Sequence, residues 1–180
     1  MKLVFLQTIF VTIAILIIVR LKKHSFIPRL SIIGPHGVGK TRFYYAIRDH
    51  RIVRTTKSMQ SNVFKGYLQL TNGEAELIDF SAEPRLWPEE SQYKLMNSMV
   101  ILFVTSESTQ EESLALIQNK ILWKARKGLT YVIQGQYKEG FKAKLNALGI
   151  DAEDNQFVTA DLGLQTWNVI DLAQLLRSRL

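Results

Sequence analysis

Two kinds of apolar run organise this chain. Residues 3–19 are uncharged, with polarity confined to Gln7, Thr8 and Thr12. Beyond them, short β-branched runs alternate with segments of helical spacing. Residues 30–33 read as a buried strand and residues 99–104 as one covered on both faces, since neither alternates with polar positions. Residues 63–70 and 74–80 flank Thr71-Asn72-Gly73, and an Asn-Gly pair between such segments predicts a hairpin. Residues 129–133 and 156–159 are the remaining strand candidates. Helical spacing marks residues 41–48 through Phe43 and Ile47, with Tyr44 beside them. It also marks residues 108–127 through Leu114, Ile117, Ile121 and Leu122, then residues 141–148, then 164–180 through Leu172, Leu175 and Leu176. The pattern predicts an α/β domain: a mostly parallel six-stranded sheet, one antiparallel edge strand, and helices on both faces.

As a helix, residues 3–19 would span roughly 25 Å at about 1.5 Å per residue. That is the short end for a membrane-crossing helix, close to the ~27 Å core of a thinner bilayer. Lys2 precedes the run, whereas Arg20, Lys22, Lys23 and His24 follow it at once. The positive-inside rule then places the following domain in the cytosol. A cleaved signal peptide fits less well, because no small-x-small site follows and the next residues are basic. A buried core helix fits less well because every face is apolar. The expected division is an anchor with its basic flank, residues 1–24, and one domain, residues 25–180.

Between the first strand and the first helix stands Gly34-Pro35-His36-Gly37-Val38-Gly39-Lys40-Thr41, which satisfies G-x-x-x-x-G-K-[ST] in the strand–loop–helix context that motif needs. The loop Gly34, Pro35, His36, Gly37, Val38 and Gly39 is expected to cradle the α- and β-phosphates of a nucleotide. The first turn, Lys40, Thr41 and Arg42, adds N–H groups and the positive end of the helix dipole. Lys40 is expected to reach the β- and γ-phosphates, and the Thr41 hydroxyl to ligate Mg²⁺. Asp79 ends an apolar strand and is expected to hold Mg²⁺ through water, with a turn aspartate as the plainer alternative. The polar segment after the first helix carries the hydroxyls Thr55, Thr56 and Ser58, of which Thr56 is the preferred candidate should the chain resemble a nucleotide switch that senses γ-phosphate and Mg²⁺.

Composition narrows the picture further. The absence of cysteine excludes thiol catalysis and cysteine-bound zinc, and the soluble part is long enough to bury a core without staples. The formal charge of +7 suits anionic lipid or an acidic partner. Its basic residues are scattered, with no arginine–aromatic array, so direct nucleic-acid contact is not expected.

Strand order and motifs together resemble the small GTPases. With the N-terminal anchor, the chain is similar to the signal recognition particle receptor beta-subunit family, Arf-like GTPases of the endoplasmic reticulum. The resemblance runs from the anchor to the closing helix. It rests on Gly34-Pro35 and Gly39-Lys40-Thr41 in the loop. Leu77-Ile78-Asp79-Phe80 and then Arg85-Leu86 stand where the family has D-[LF]-P-G-H and a basic-leucine step. Val158-Thr159-Ala160 stands against S-A-K, and Asp171-Leu172 with Leu175 and Leu176 against the final helix.

The resemblance implies a three-layer, Ras-like P-loop NTPase domain with GTP and Mg²⁺ as ligands. It implies a single-pass protein of the endoplasmic reticulum membrane with its C-terminal domain in the cytosol. The implied partner is the receptor's alpha subunit, which brings ribosome-bound targeting complexes to that membrane. Ala82 would supply the backbone N–H that meets the γ-phosphate, and Gln136 and Ala160 would lie against the base. Glu83 is a weak catalytic candidate for orienting water, and a surface glutamate is an equal reading. Departures are clear: Ser81-Ala82-Glu83 replaces Pro-Gly-His, and Gln134-Gly135-Gln136-Tyr137-Lys138 replaces N-K-x-D, with Lys138 at the acid's place. Asp161 stands where the S-A-K lysine would be. Phosphate binding is thus expected to be retained, base reading weakened and hydrolysis slow. The alternatives are another membrane-tethered NTPase or phosphotransferase, or a scaffold without nucleotide.

Overall fold

The computed structural model describes residues 27–49, 60–96, 98–104, 106–118 and 129–159. Its strands are β1 (Arg29–Ile33), β2 (Asn62–Leu68), β3 (Gly73–Asp79), β4 (Met99–Val104), β5 (Leu129–Ile133) and β6 (Phe157–Thr159). They form one mixed sheet in the order β2-β3-β1-β4-β5-β6, antiparallel only between β2 and β3. The helices are α1 (Lys40–Asp49), α2 (Glu89–Leu95), α3 (Glu107–Gln118) and α4 (Lys138–Ala147). This is the mostly parallel α/β sheet with an antiparallel edge strand that the hydrophobic pattern implies. The expected anchor, residues 1–24, and the expected closing helix, residues 164–180, lie outside the described residues. Among the described residues no helix is long and apolar enough to cross a membrane.

The sheet separates two apolar clusters, which is why β1, β4 and β5 are apolar on both faces. On one side Leu30, Ile32, Ile101 and Phe103 pack with Phe43, Tyr44 and Ile47 of α1. On the other side Ile33, Leu102 and Tyr131 pack with Leu95, Ile117 and Phe141 from α2, α3 and α4. The rings of Phe43 and Phe103 lie 5.3 Å apart, and those of Tyr131 and Phe157 stack at 5.0 Å. Burial without a hydrogen-bond partner pushes the Tyr131 phenol up to about 12.

Two local features depart from the pattern. The hairpin loop is centred earlier than the Asn-Gly pair: Leu68 pairs with Gly73, so the loop is residues 69–72. Leu70 is buried within it, and the Thr71 hydroxyl binds the Leu68 and Gly73 carbonyls at 3.2 and 3.1 Å. Asn72 takes the left-handed conformation, φ 51°, while Gly73 joins the strand. Packing of Leu70 thus overrides the preference of Asn-Gly for the loop centre. The second feature is α2, in a stretch where the pattern marks no element. Its buried apolar contribution is Leu95, too little for a periodic signal, and its start carries Glu89 and Glu90, favourable at a helix N-terminus.

At the end of the sheet where β1 begins, Glu76 is buried and binds Arg29 Nε at 2.7 Å and Lys94 Nζ at 3.0 Å, with Lys65 Nζ at 3.9 Å. Burial alone would raise its pKa. Hydrogen bonds from Arg29 and Lys94, with the charges of Lys94 and Lys65, hold it below the usual carboxylate range. The cluster ties β1, β2 and α2 to β3.

Candidate functional site

The site lies at the opposite end, where β1, β3, β4 and β5 present their C-termini. There β1 has β3 on one side and β4 on the other, the switch point at which open α/β sheets hold ligands. The chain leaves β1 through Gly34 with φ 145° and turns at Gly37 (φ 76°) and Gly39 (φ 90°) before entering α1. A side chain at Gly34 would also set a Cβ 3.0 Å from the Phe103 carbonyl oxygen. At Gly37 and Gly39 the surroundings are open, so backbone conformation alone calls for glycine there. The Gly39 carbonyl accepts the Phe43 N–H at 2.9 Å, closing the first helical turn.

Three predicted residues converge on this loop. Lys40 is buried and folds back so that its ammonium donates to the Pro35 carbonyl at 2.7 Å. Burial lowers its pKa, opposed by the charges of Asp79 and Glu112. The Thr41 hydroxyl donates to Asp79 Oδ2 at 2.7 Å. Asn62, opposite Asp79 in the β2–β3 register, donates to the same oxygen at 3.3 Å. Asp79 Oδ1 is buried and has no hydrogen-bond partner. Burial raises the Asp79 pKa, against the Thr41 hydrogen bond, the Lys40 charge and the Asn62 amide.

An unpartnered buried carboxylate oxygen beside a hydroxyl fits a hard cation that takes few protein ligands and completes its shell with water and phosphate. Among the described residues no group of three or more His, Asp or Glu side chains forms a closed metal cage. Loop backbone, ammonium and carboxylate together can bind a polyanion and its counter-cation.

The other predicted residues are placed as follows. Val38 is buried against α1, and Arg42 is half-buried in the first turn of that helix. Ala82 and Glu83 are half-buried in the loop after β3. That loop is fixed by the buried Trp87, whose indole N–H donates to the Ser81 carbonyl at 2.7 Å and whose ring lies 4.8 Å from Phe80. Gln136 is exposed in a 3-10 turn, Gly135–Tyr137, after β5. Lys138, at the place where the resemblance asks for an acid, turns to Asp154 at 3.2 Å and over the Phe157 ring at 5.7 Å. Thr56 and Ala160, with Thr55, Ser58 and Asp161, lie outside the described residues.

Sequence reasoning did not single out Asn62. The hairpin register would have found it, since pairing Leu68 with Gly73 carries Asn62 to Asp79. Nor did it bring His36 to Glu83, which the fold sets 3.7 Å apart. Neither the protein-family models nor the curated proteins compared with this chain give a match.

Proposed function

We propose that this chain is a membrane-anchored, Ras-like GTP-binding subunit of the signal recognition particle receptor beta type. On this reading its cytosolic domain recruits the alpha subunit to the endoplasmic reticulum membrane. The observation that carries the nucleotide part is the convergence of Lys40, Thr41 and Asp79 on a glycine loop between β1 and α1. Strand order β2-β3-β1-β4-β5-β6 with an antiparallel β2 supports the Ras-like frame. The apolar run 3–19 and its basic flank support the anchor.

In this function the loop backbone wraps the phosphates. Lys40 leaves the Pro35 carbonyl for phosphate oxygens, exchanging a neutral acceptor for a charged one. Thr41 Oγ1 and, through water, Asp79 would hold Mg²⁺, which supplies neutralising charge at the β- and γ-phosphates. Burial of Lys40 and Asp79 strengthens their interaction with such a ligand, because the surroundings screen little. Glu83 is engaged by Arg85 at 2.7 Å, so it is poorly placed to orient water. Hydrolysis is therefore slow and bound nucleotide acts mainly as a structural ligand that orders the docking surface. Guanine preference is the finer part of the proposal, since Lys138 brings no carboxylate to the base.

Equilibrium dialysis of the full chain in detergent micelles, with GTP or ATP and with Mg²⁺ or EDTA, tests this. The expected result is GTP retained at micromolar protein and released on chelation, with alpha-subunit capture following GTP occupancy. Retention of neither nucleotide would overturn it in favour of a scaffold.

A further inference from the structure

The loop after β3 meets the phosphate loop through a pair of side chains for which the loop motif has no role. Glu83 Oε1 lies 3.7 Å from His36 Nε2, while Oε2 takes the Arg85 guanidinium at 2.7 Å from Nε and 2.6 Å from Nη2. His36 Nε2 is buried and has no hydrogen-bond partner, 3.7 Å being beyond hydrogen-bond reach. Both side chains are about one-third exposed, 35% for His36 and 29% for Glu83, whereas Arg85 is 82% exposed.

The backbone carrying Glu83 is held in place. Its N–H donates to Ser81 Oγ at 3.3 Å, the Ser81 N–H donates to Ser61 Oγ at 3.2 Å, and Trp87 holds the Ser81 carbonyl. On the facing side, the Pro35 carbonyl that holds Lys40 Nζ belongs to the residue just before His36. The Glu83–His36 pair thus lies at the edge of the loop, on the residue adjoining the carbonyl that holds Lys40.

We propose that Glu83 and His36 form a discriminator for the terminal phosphate, an inference that rests on the nucleotide reading above. With no terminal phosphate, the Glu83 carboxylate stays at the His36 edge of the loop. A triphosphate displaces it, because its terminal phosphate and the Glu83 carboxylate are like charges competing for the same edge of the loop. His36 Nε2 then binds a terminal phosphate oxygen, and Glu83 remains with the exposed Arg85. A diphosphate leaves the pair in place. The device sets the preference between triphosphate and diphosphate and couples the phosphate loop to residues 81–87, part of the surface proposed for docking.

The test is competitive displacement of a fluorescent nucleotide from the full chain in detergent micelles, using a non-hydrolysable GTP analogue and GDP. Glu83→Gln is expected to raise triphosphate affinity about tenfold while diphosphate affinity stays within about twofold. His36→Ala is expected to lower triphosphate affinity about fivefold. In the His36→Ala background, the gain from Glu83→Gln should fall below about threefold, the signature of coupled residues. If wild type binds nucleotide and Glu83→Gln moves both affinities equally or neither, the discriminator is wrong and the nucleotide reading stands. If wild type binds neither nucleotide, both fall.

Discussion

The two halves of the candidate site are built at the same end of the same sheet, yet they commit their charges in opposite directions. After β1, Lys40 and Asp79 turn inward, buried around a glycine loop, with Asp79 Oδ1 unpartnered. After β5, Lys138 turns outward to Asp154 and the Phe157 ring, and Gln136 is left exposed. Burying charge is costly unless it is paired or ligated, so the first arrangement is one that a ligand would relieve. The second is a nearly satisfied surface contact. A shared strand edge thus supplies two positions, and the direction of side-chain commitment separates a buried, unsatisfied cluster after β1 from an exposed, paired turn after β5.

The sharpest test of the contrast is Lys40→Ala. On the proposed function it should weaken triphosphate binding by about a hundredfold, the scale of a lost charge-assisted contact in a buried site. The fold should persist by circular dichroism. Binding unchanged within about twofold would erase the distinction between the halves.

Gly34→Ala should act on folding. Its positive φ and the 3.0 Å approach to the Phe103 carbonyl predict a loss of about 2 kcal/mol. Urea denaturation followed by tryptophan fluorescence would measure it.

Glu76→Gln probes the pole remote from the site. The Glu76 pKa is depressed in the fold, so its contribution is complete above the unfolded glutamate value and fades as pH falls through the lower folded one. Partial exposure of Arg29 and Lys65 limits the expected loss to about 1 kcal/mol at neutral pH. The difference from wild type should shrink below about pH 4.5. A difference that stays constant into acid would contradict the ion cluster, and nucleotide affinity should not move.

Lys138→Ala should be the mildest, with no resolvable change in the urea midpoint, because Asp154 is largely exposed and keeps Lys142 at 2.9 Å. Lys138→Asp is the informative partner: an acid there should raise the GTP-to-ATP affinity ratio if this turn lies against the base. An unchanged ratio would detach residues 134–138 from base recognition.

Strand content was legible because continuous apolar runs report burial on both faces: β4 and β5 coincide with the runs that mark them. The glycine loop was legible because its positive-φ positions demand glycine, and the lysine and threonine follow at fixed spacing. α2 was not, since its seven residues include only Leu95 as a buried apolar anchor. The hairpin was legible as a hairpin but not in its centre, because Leu70 joins the core and moves the turn.

By itself, then, the sequence determined the strands, the antiparallel edge, and the glycine loop with the lysine and threonine that follow it. Local periodicity and backbone requirements are written in neighbouring residues. Tertiary structure alone decided that Asn62 and Thr41 share one oxygen of Asp79, that Glu83 stands at His36, and that Lys138 faces Asp154. Those pairings join residues 16 to 47 positions apart, where register and packing, rather than periodicity, set which side chains meet.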